Sequence, residues 1–166
     1  MEIREVQPDE YAEAGRTTAA AYREFVPPNV SSGWIEYLDE IADIAGRVDR
    51  TVVLIAVEDG RILGSATIEM DQTIGDDDRE LPPDEAALRM LGVDPTARRG
   101  GVGRALVEAC LEAARAKGKR RFRLRTTSRM TAAHRLYESM GFQRDPALDM
   151  SFPDVELIGY SMDLGE

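Results

Sequence analysis

The sequence has a single cysteine (Cys110), a single histidine (His134) and a single tryptophan (Trp34). One cysteine cannot close an internal disulfide, and Cys110 falls at a helical, core-like position rather than in a setting that suits a nucleophile. One cysteine and one histidine do not make a dedicated zinc site, so no metal is expected. Long apolar runs are missing as well. The longest, Val52 to Val57, is far too short to span a membrane. The start, Met1-Glu2-Ile3-Arg4-Glu5, lacks the basic and apolar regions of a signal peptide. Together these absences point to a cytoplasmic chain with no membrane partner. Repeats, low-complexity tracts and linkers are also absent, so residues 1–166 read as one domain with a sizeable core.

Charge is plentiful but lopsided. The net charge is -10, yet the segment from Arg98 to Arg129 carries eleven Lys and Arg against Glu108 and Glu112, a net of +9. The remainder holds ten basic and twenty-nine acidic residues, a net of -19. This asymmetry suggests an anionic ligand at one place and a cationic ligand at another. Nucleic acid fits poorly, because the rest of the chain is acidic and no aromatic stacking ladder accompanies the arginines.

Periodicity gives the element order. Glu2 to Val6 reads as a strand. A helix follows from Pro8, with Tyr11, Ala14, Thr18, Ala21, Tyr22 and Phe25 on one face and Pro27-Pro28 ending it. Ser32 caps a second helix carrying Trp34, Leu38, Ile41 and Ala45, which Gly46 stops. Thr51 to Val57 and Ile62 to Met70 form a hairpin about Asp59-Gly60. Asp71 to Pro83 is a long acidic loop, and Ala87 to Val93 is the next strand. A helix from Gly101 to Lys117 has Val102, Leu106, Ala109 and Ala113 as its inner stripe. Arg121 to Thr126 is a strand, Ser128 caps a helix through Met140, and Phe142 to Arg144 and Val155 to Leu164 close the sheet. The order implies an α/β fold, a mixed sheet flanked by helices. The unit from Ala87 to Thr126 is a parallel right-handed crossover.

The chemistry concentrates in Arg98-Arg99-Gly100-Gly101-Val102-Gly103-Arg104, at the mouth of the central helix. Glycines let a ligand approach the backbone, the first helical N–H groups lack internal partners, and arginine adds charge-assisted hydrogen bonds. A phosphorylated ligand is the natural guest. No third glycine completes a dinucleotide fingerprint, and no Gly-Lys-Ser/Thr is present for a nucleotide-triphosphatase loop.

These residues resemble the GNAT superfamily of N-acetyltransferases. Arg98-Arg99-Gly100-Gly101-Val102-Gly103 fits the family's Gln/Arg-x-x-Gly-x-Gly/Ala motif, after a Leu91-Gly92-Val93-Asp94-Pro95 strand exit. Downstream, Ala132-Ala133-His134-Arg135-Leu136-Tyr137-Glu138-Ser139-Met140-Gly141-Phe142 is similar to the family's A-x-x-L-Y-x-x-x-G-F segment. The resemblance implies a mostly antiparallel sheet of about seven strands, four helices, and fourth and fifth strands that splay apart. It implies acetyl-CoA as co-substrate and direct attack by a primary amine. A non-catalytic acyl-CoA-binding regulator on the same fold is the alternative, and a homodimer is compatible with either.

The resemblance also implies roles by position. Backbone N–H groups of Arg99, Gly101, Val102, Gly103 and Arg104, with the side chains of Arg98, Arg99 and Arg104 and the bend at Gly100, would face the diphosphate. Leu91 and Val93 would pair with the pantetheine amides, and Gly92 suits the bulge that opens the strands. Tyr137 would serve the departing thiolate, and His134, one turn earlier, would reach the cofactor. Relatives place a glutamate where this chain has Ala87, so Glu85, two residues back, and Glu69, on the preceding strand, are the candidates to assist loss of the amine proton. The acceptor pocket would draw on Phe25, Trp34 and Tyr37, on Asp76-Asp77-Asp78, and on Asp145, Asp149, Asp154 and Glu156. Aromatics and acids suit a cationic amine. Arg121, Arg123 and Arg125, alternating with Phe122, Leu124 and Thr126, put three positive charges on one face of their strand, where the cofactor's adenosine end or an interface are the alternatives.

Overall fold

The computed structural model describes residues 1–26, 32–70, 81–153 and 155–165. Its strands are β1 (Glu2–Glu5), β2 (Val52–Glu58), β3 (Arg61–Glu69), β4 (Glu85–Val93), β5 (Arg121–Thr127), β6 (Gln143–Arg144), β7 (Met150–Phe152) and β8 (Val155–Asp163). Its helices are α1 (Tyr11–Arg23), α2 (Ser32–Ala42), α3 (Val102–Ala116) and α4 (Thr131–Ser139). The strands form one sheet ordered β1-β2-β3-β4-β5-β8-β6, with β7 paired to β8. Only β4 and β5 run parallel, joined through α3; the other pairs are antiparallel. Among the described residues the sheet therefore has eight strands, against the expected seven or so. The extra one, β7, is three residues long and hidden between Pro146 and Pro153 in the sequence.

Two apolar layers sandwich the sheet. On one face α3 lays Val102, Leu106, Val107 and Cys110 on Leu54, Ala66, Ile68, Leu88 and Phe122, with Tyr137 of α4 at the margin. Cys110 is fully buried, and burial pushes its thiol up to about 12, so it packs rather than reacts. On the other face Ala14 and Ile44 cover Val53, Ile55 and Ile62, and Tyr22 and Ile41 cover Met90. Alternation fixes which polar residues share this second face, with Ala87 of β4 among them: Glu69 on β3, Glu85 and Arg89 on β4, and Arg121, Arg123 and Arg125 on β5.

Arg47 ends α2 four residues before the expected stop at Gly46. Its buried guanidinium donates to the carbonyls of Glu40 (2.6 Å), Ile41 (3.1 Å) and Asp43 (3.1 Å) and to Thr67 Oγ1 (3.1 Å). The helix closes on that cation, which also ties it to β3. Likewise α4 begins at Thr131 rather than from a Ser128 cap, because Met130 N–H donates to Thr127 C=O (3.1 Å) and closes a turn first.

The opening that matters lies between β4 and β5. They pair only from Glu85 opposite Arg121 to Leu88 opposite Leu124, and then part. A bulge in β4 bends it away: Gly92 faces Ser65 and Arg89 faces Thr67, so Met90 and Leu91 together oppose Ala66. Met90 takes the left-handed conformation at φ 53, which costs a side-chain-bearing residue roughly 1–3 kcal/mol. The bulge is thus at Met90, not at Gly92 as expected. Gly92 instead lets α1 settle on β4, since a Cβ there would come within 3.0 Å of Thr18 and 3.1 Å of Ala21.

Among the described residues no helix is long and apolar enough to cross a membrane, and no three His, Cys, Asp or Glu side chains gather as metal ligands.

Candidate functional site

The turn after β4 is built by Asp94. Its carboxylate accepts from Thr96 N–H (2.9 Å) and Thr96 Oγ1 (2.8 Å) and from Arg61 (2.7 Å). These bonds, the Thr96 amide first, hold its carboxyl below the usual carboxylate range. A 3-10 turn over Pro95–Gly100 follows, and Gly101 precedes α3 at φ 76, a conformation that favours glycine. The first helical bond runs from Ala105 N–H to Gly101 C=O (3.0 Å). The N–H groups of Val102, Gly103 and Arg104 therefore have no acceptor within the helix, and they point out of its positive end. Such a glycine-lined mouth fits a diphosphate.

The three arginines of this segment do different things. Arg98 does not turn to the mouth. It pairs with Glu24, donates to Ala21 C=O (3.1 Å) and lies over the Phe25 ring (5.7 Å), anchoring the turn to the C-terminal end of α1. Arg104 donates to Ser139 Oγ (2.7 Å), bridging α3 and α4. Arg99 is exposed beside the mouth.

From the mouth, the free edge of β4 leads inward. Asp94 N–H donates to Leu63 C=O on β3 (2.7 Å), so by alternation Val93 and Leu91 turn their N–H and C=O groups away from β3, into the opening. That edge can take an added strand-like ligand.

The opening widens into a cleft of about 530 Å³, lined by Trp34, Tyr37, Glu69, Ala87, Arg89, Arg123 and Tyr137 among others. Tyr137 is 4% exposed and packs against the rings of Phe142 (5.6 Å) and Tyr160 (6.0 Å). Its hydroxyl has no hydrogen-bond partner among the described residues. Burial, with Cys110 nearby, raises its pKa well above that of an ordinary phenol, so it keeps its proton. His134 does not line the cleft. Its Nε2 lies 2.9 Å from Thr127 C=O, and because a carbonyl only accepts, Nε2 carries the proton and ties α4 to β5.

The two candidate carboxylates separate sharply. Glu85 sits at the closed end of β4, near Arg121 (3.7 Å), and does not line the cleft. Glu69 does. It stands directly across from Ala87 in the β3–β4 register, with Arg89 at 3.8 Å. Arg89 was not singled out from sequence, although a lone arginine within Leu88-Arg89-Met90-Leu91 was a signal that something awaits it. The acceptor residues divide in the same way. Trp34 and Tyr37 line the cleft, edge to face with each other (6.2 Å), whereas Phe25 lies under Arg98 outside it. Asp145 pairs with Arg121, Asp149 with Arg144 (2.9 Å), and Glu156 is exposed, so these acids do not gather into an acidic pocket for a cation. Asp76, Asp77, Asp78 and Asp154 lie outside the described residues.

Comparisons with known proteins agree on the family. The model of the acetyltransferase (GNAT) family matches residues 18–142. A mycothiol acetyltransferase of Streptosporangium roseum is 46% identical over 55 residues, 33% of this chain but only 16% of that protein's length. The fold is shared with ribosomal-protein-alanine N-acetyltransferase from Brucella melitensis (TM-score 0.70, 19% identity, 98% of this chain and 99% of that one). It is shared too with yncA from Salmonella typhimurium, solved with its cofactor acetyl-CoA (TM-score 0.67, 20% identity, 99% and 94%).

Proposed function

We propose that this chain, which belongs to the GNAT acetyltransferase family, moves the acetyl group of acetyl-CoA onto a primary amine by direct attack of the amine nitrogen. Acetyl-CoA, the co-substrate of the family, supplies the activated acetyl group. The observation that carries the reading is that Glu69 and Tyr137 line one cleft at the point where β4 and β5 part.

Each residue then has a task. The N–H groups of Val102, Gly103 and Arg104, with Arg99 beside them, hold the diphosphate, and the edge groups of Leu91 and Val93 hold the pantetheine arm and polarise the thioester carbonyl. Trp34 and Tyr37 wall the acceptor. An alkylamine with the pKa of lysine is neutral in roughly one molecule in a thousand at pH 7, a handicap of about 4 kcal/mol. Glu69 accepts the proton that the amine must lose, directly or through a water. As the new C–N bond forms and the C–S bond breaks, the Tyr137 hydroxyl donates to the departing sulfur. Ala87, where relatives carry glutamate, favours a non-catalytic chain; Glu69 directly across from it supports the catalytic reading.

The test is turnover of acetyl-CoA with a panel of primary amines, reading thiol release and the N-acetyl product by mass spectrometry. Glu69→Gln should lower kcat/KM about 100-fold, most steeply below the amine's pKa. Thiol release with no acetylated amine overturns the reading.

A further inference from the structure

Three positions on adjacent strands form one row across the sheet. Glu69 faces Ala87, and Ala87 faces Arg123. All three point to the face covered by α1 and α2, and all three line the cleft. Two strand spacings place the Glu69 and Arg123 backbones roughly 10 Å apart, with only the Ala87 methyl between them. An acidic and a basic side chain thus flank a small floor.

The charges around this row are not equivalent. Arg89 lies against Glu69, and Arg125 Nε donates to Leu148 C=O (2.6 Å). Arg121 is taken by Asp145 and Ser161 Oγ (3.1 Å). Arg123 alone of these has neither a hydrogen bond nor an ion pair among the described residues, though it is half-buried in the cleft. A guanidinium withdrawn from water without a partner is costly, and an arriving carboxylate offsets that cost through two parallel N–H···O bonds. Much of the remaining lining is apolar, among it Trp34, Leu148, Phe152 and Leu157, with Glu40, Thr126 and Thr127 as polar exceptions.

We propose that the acceptor is a zwitterion, an apolar α-amino acid whose amine lies toward Glu69 and whose carboxylate is held by Arg123 over Ala87. This rests on the amine-transfer reading and narrows it. It replaces the cationic acceptor expected from the acidic composition, because a polyamine would meet the Arg123 charge and leave it unmatched.

The experiment compares leucine, methionine and phenylalanine with their carboxamides and with the corresponding decarboxylated amines. The amino acids should be acetylated with kcat/KM at least about 30-fold higher than either series, as loss of a charge-assisted pair predicts. Arg123→Gln should erase that preference by raising KM for the amino acids, and Arg123→Lys should restore part of it. Acetyl-CoA affinity by calorimetry should stay within about twofold of wild type in Arg123→Gln, which reports an intact fold. Carboxamides or simple amines acetylated as fast as the amino acids, or a preference that survives in Arg123→Gln, overturns this inference and leaves amine transfer standing. Acetylation of no amine in any series overturns both. The wild-type comparison alone decides the matter if the variants do not fold.

Discussion

Tyr137 is a buried phenol whose oxygen bonds to nothing described around it, and that decides how its removal should read. Its ring is held by Phe142 and Tyr160, contacts that phenylalanine keeps. Deleting the hydroxyl breaks no hydrogen bond, so the stability of Tyr137→Phe should match wild type within about 0.5 kcal/mol. Its kcat should fall roughly 100-fold while acetyl-CoA affinity is unchanged, because in the proposed reaction the hydroxyl serves the sulfur only as it leaves. Stopped-time assays and calorimetry on the same preparation check this, and an unaltered kcat removes Tyr137 from the mechanism. The place of Tyr137 beside the cleft was legible in the sequence because the Leu-Tyr pair and the Gly-Phe that follows its helix lie within a few residues of one another. That Glu69 rather than Glu85 lines the cleft was not legible, since it depends on the β3–β4 register, a long-range fact. Arg98 was misplaced because a long side chain can reach either the diphosphate mouth or the end of α1, and only the packed structure shows that Glu24 and Ala21 C=O claim it.

Among the elements, the glycine turn was read correctly because its demands are local: Gly101 at φ 76 and open N–H groups follow from residues a few positions apart. The bulge was misread because Met90 at φ 53 carries no compositional mark; the sheet and α1 impose it. The turn offers a clean test at Gly103. At Gly101 any side chain is strained whether or not a ligand binds. At Gly103, a Cβ would meet Leu136 at 3.4 Å and Val93 at 3.8 Å, ordinary contacts or nearly so. Gly103→Val should therefore fold with a melting temperature close to wild type, valine being no worse than glycine in a helix. It should nonetheless bind acetyl-CoA at least about 100-fold more weakly in calorimetry, because its methyls hold the diphosphate off the N–H groups. Wild-type affinity in Gly103→Val would place the coenzyme elsewhere.

At the scale of the whole molecule, two opposing electrostatic effects set the response to acid. The net charge of -10 favours partial protonation, which relieves self-repulsion. Against this, particular carboxylates are needed ionised. Glu10 accepts two bonds from Arg4 (2.8 Å each) and one from Gln7 N–H (2.8 Å). Asp149 accepts from Arg144 (2.9 and 3.0 Å) and from Gly159 N–H (2.7 Å), fastening β8 to the preceding turn. Those arginine hydrogen bonds, and the Thr96 amide at Asp94, hold all three carboxyls below their usual range in the folded state. A carboxyl with a depressed folded pKa stabilises fully above its unfolded value, near 4, and that stabilisation is lost as pH falls toward the folded value. Repulsion between distant charges is screened beyond about 8 Å in 0.15 M salt, whereas these contacts lie well within that distance. Urea midpoints in 0.15 M salt should therefore stay level from pH 8 to about pH 5 and drop below about pH 4. In 10 mM salt the pH 8 midpoint should fall below that at pH 5.5, because the repulsion is then unscreened. A midpoint at pH 3 as high as at pH 7 in 0.15 M salt would mean that the three pairs contribute nothing and that net charge alone governs the fold's tolerance of acid.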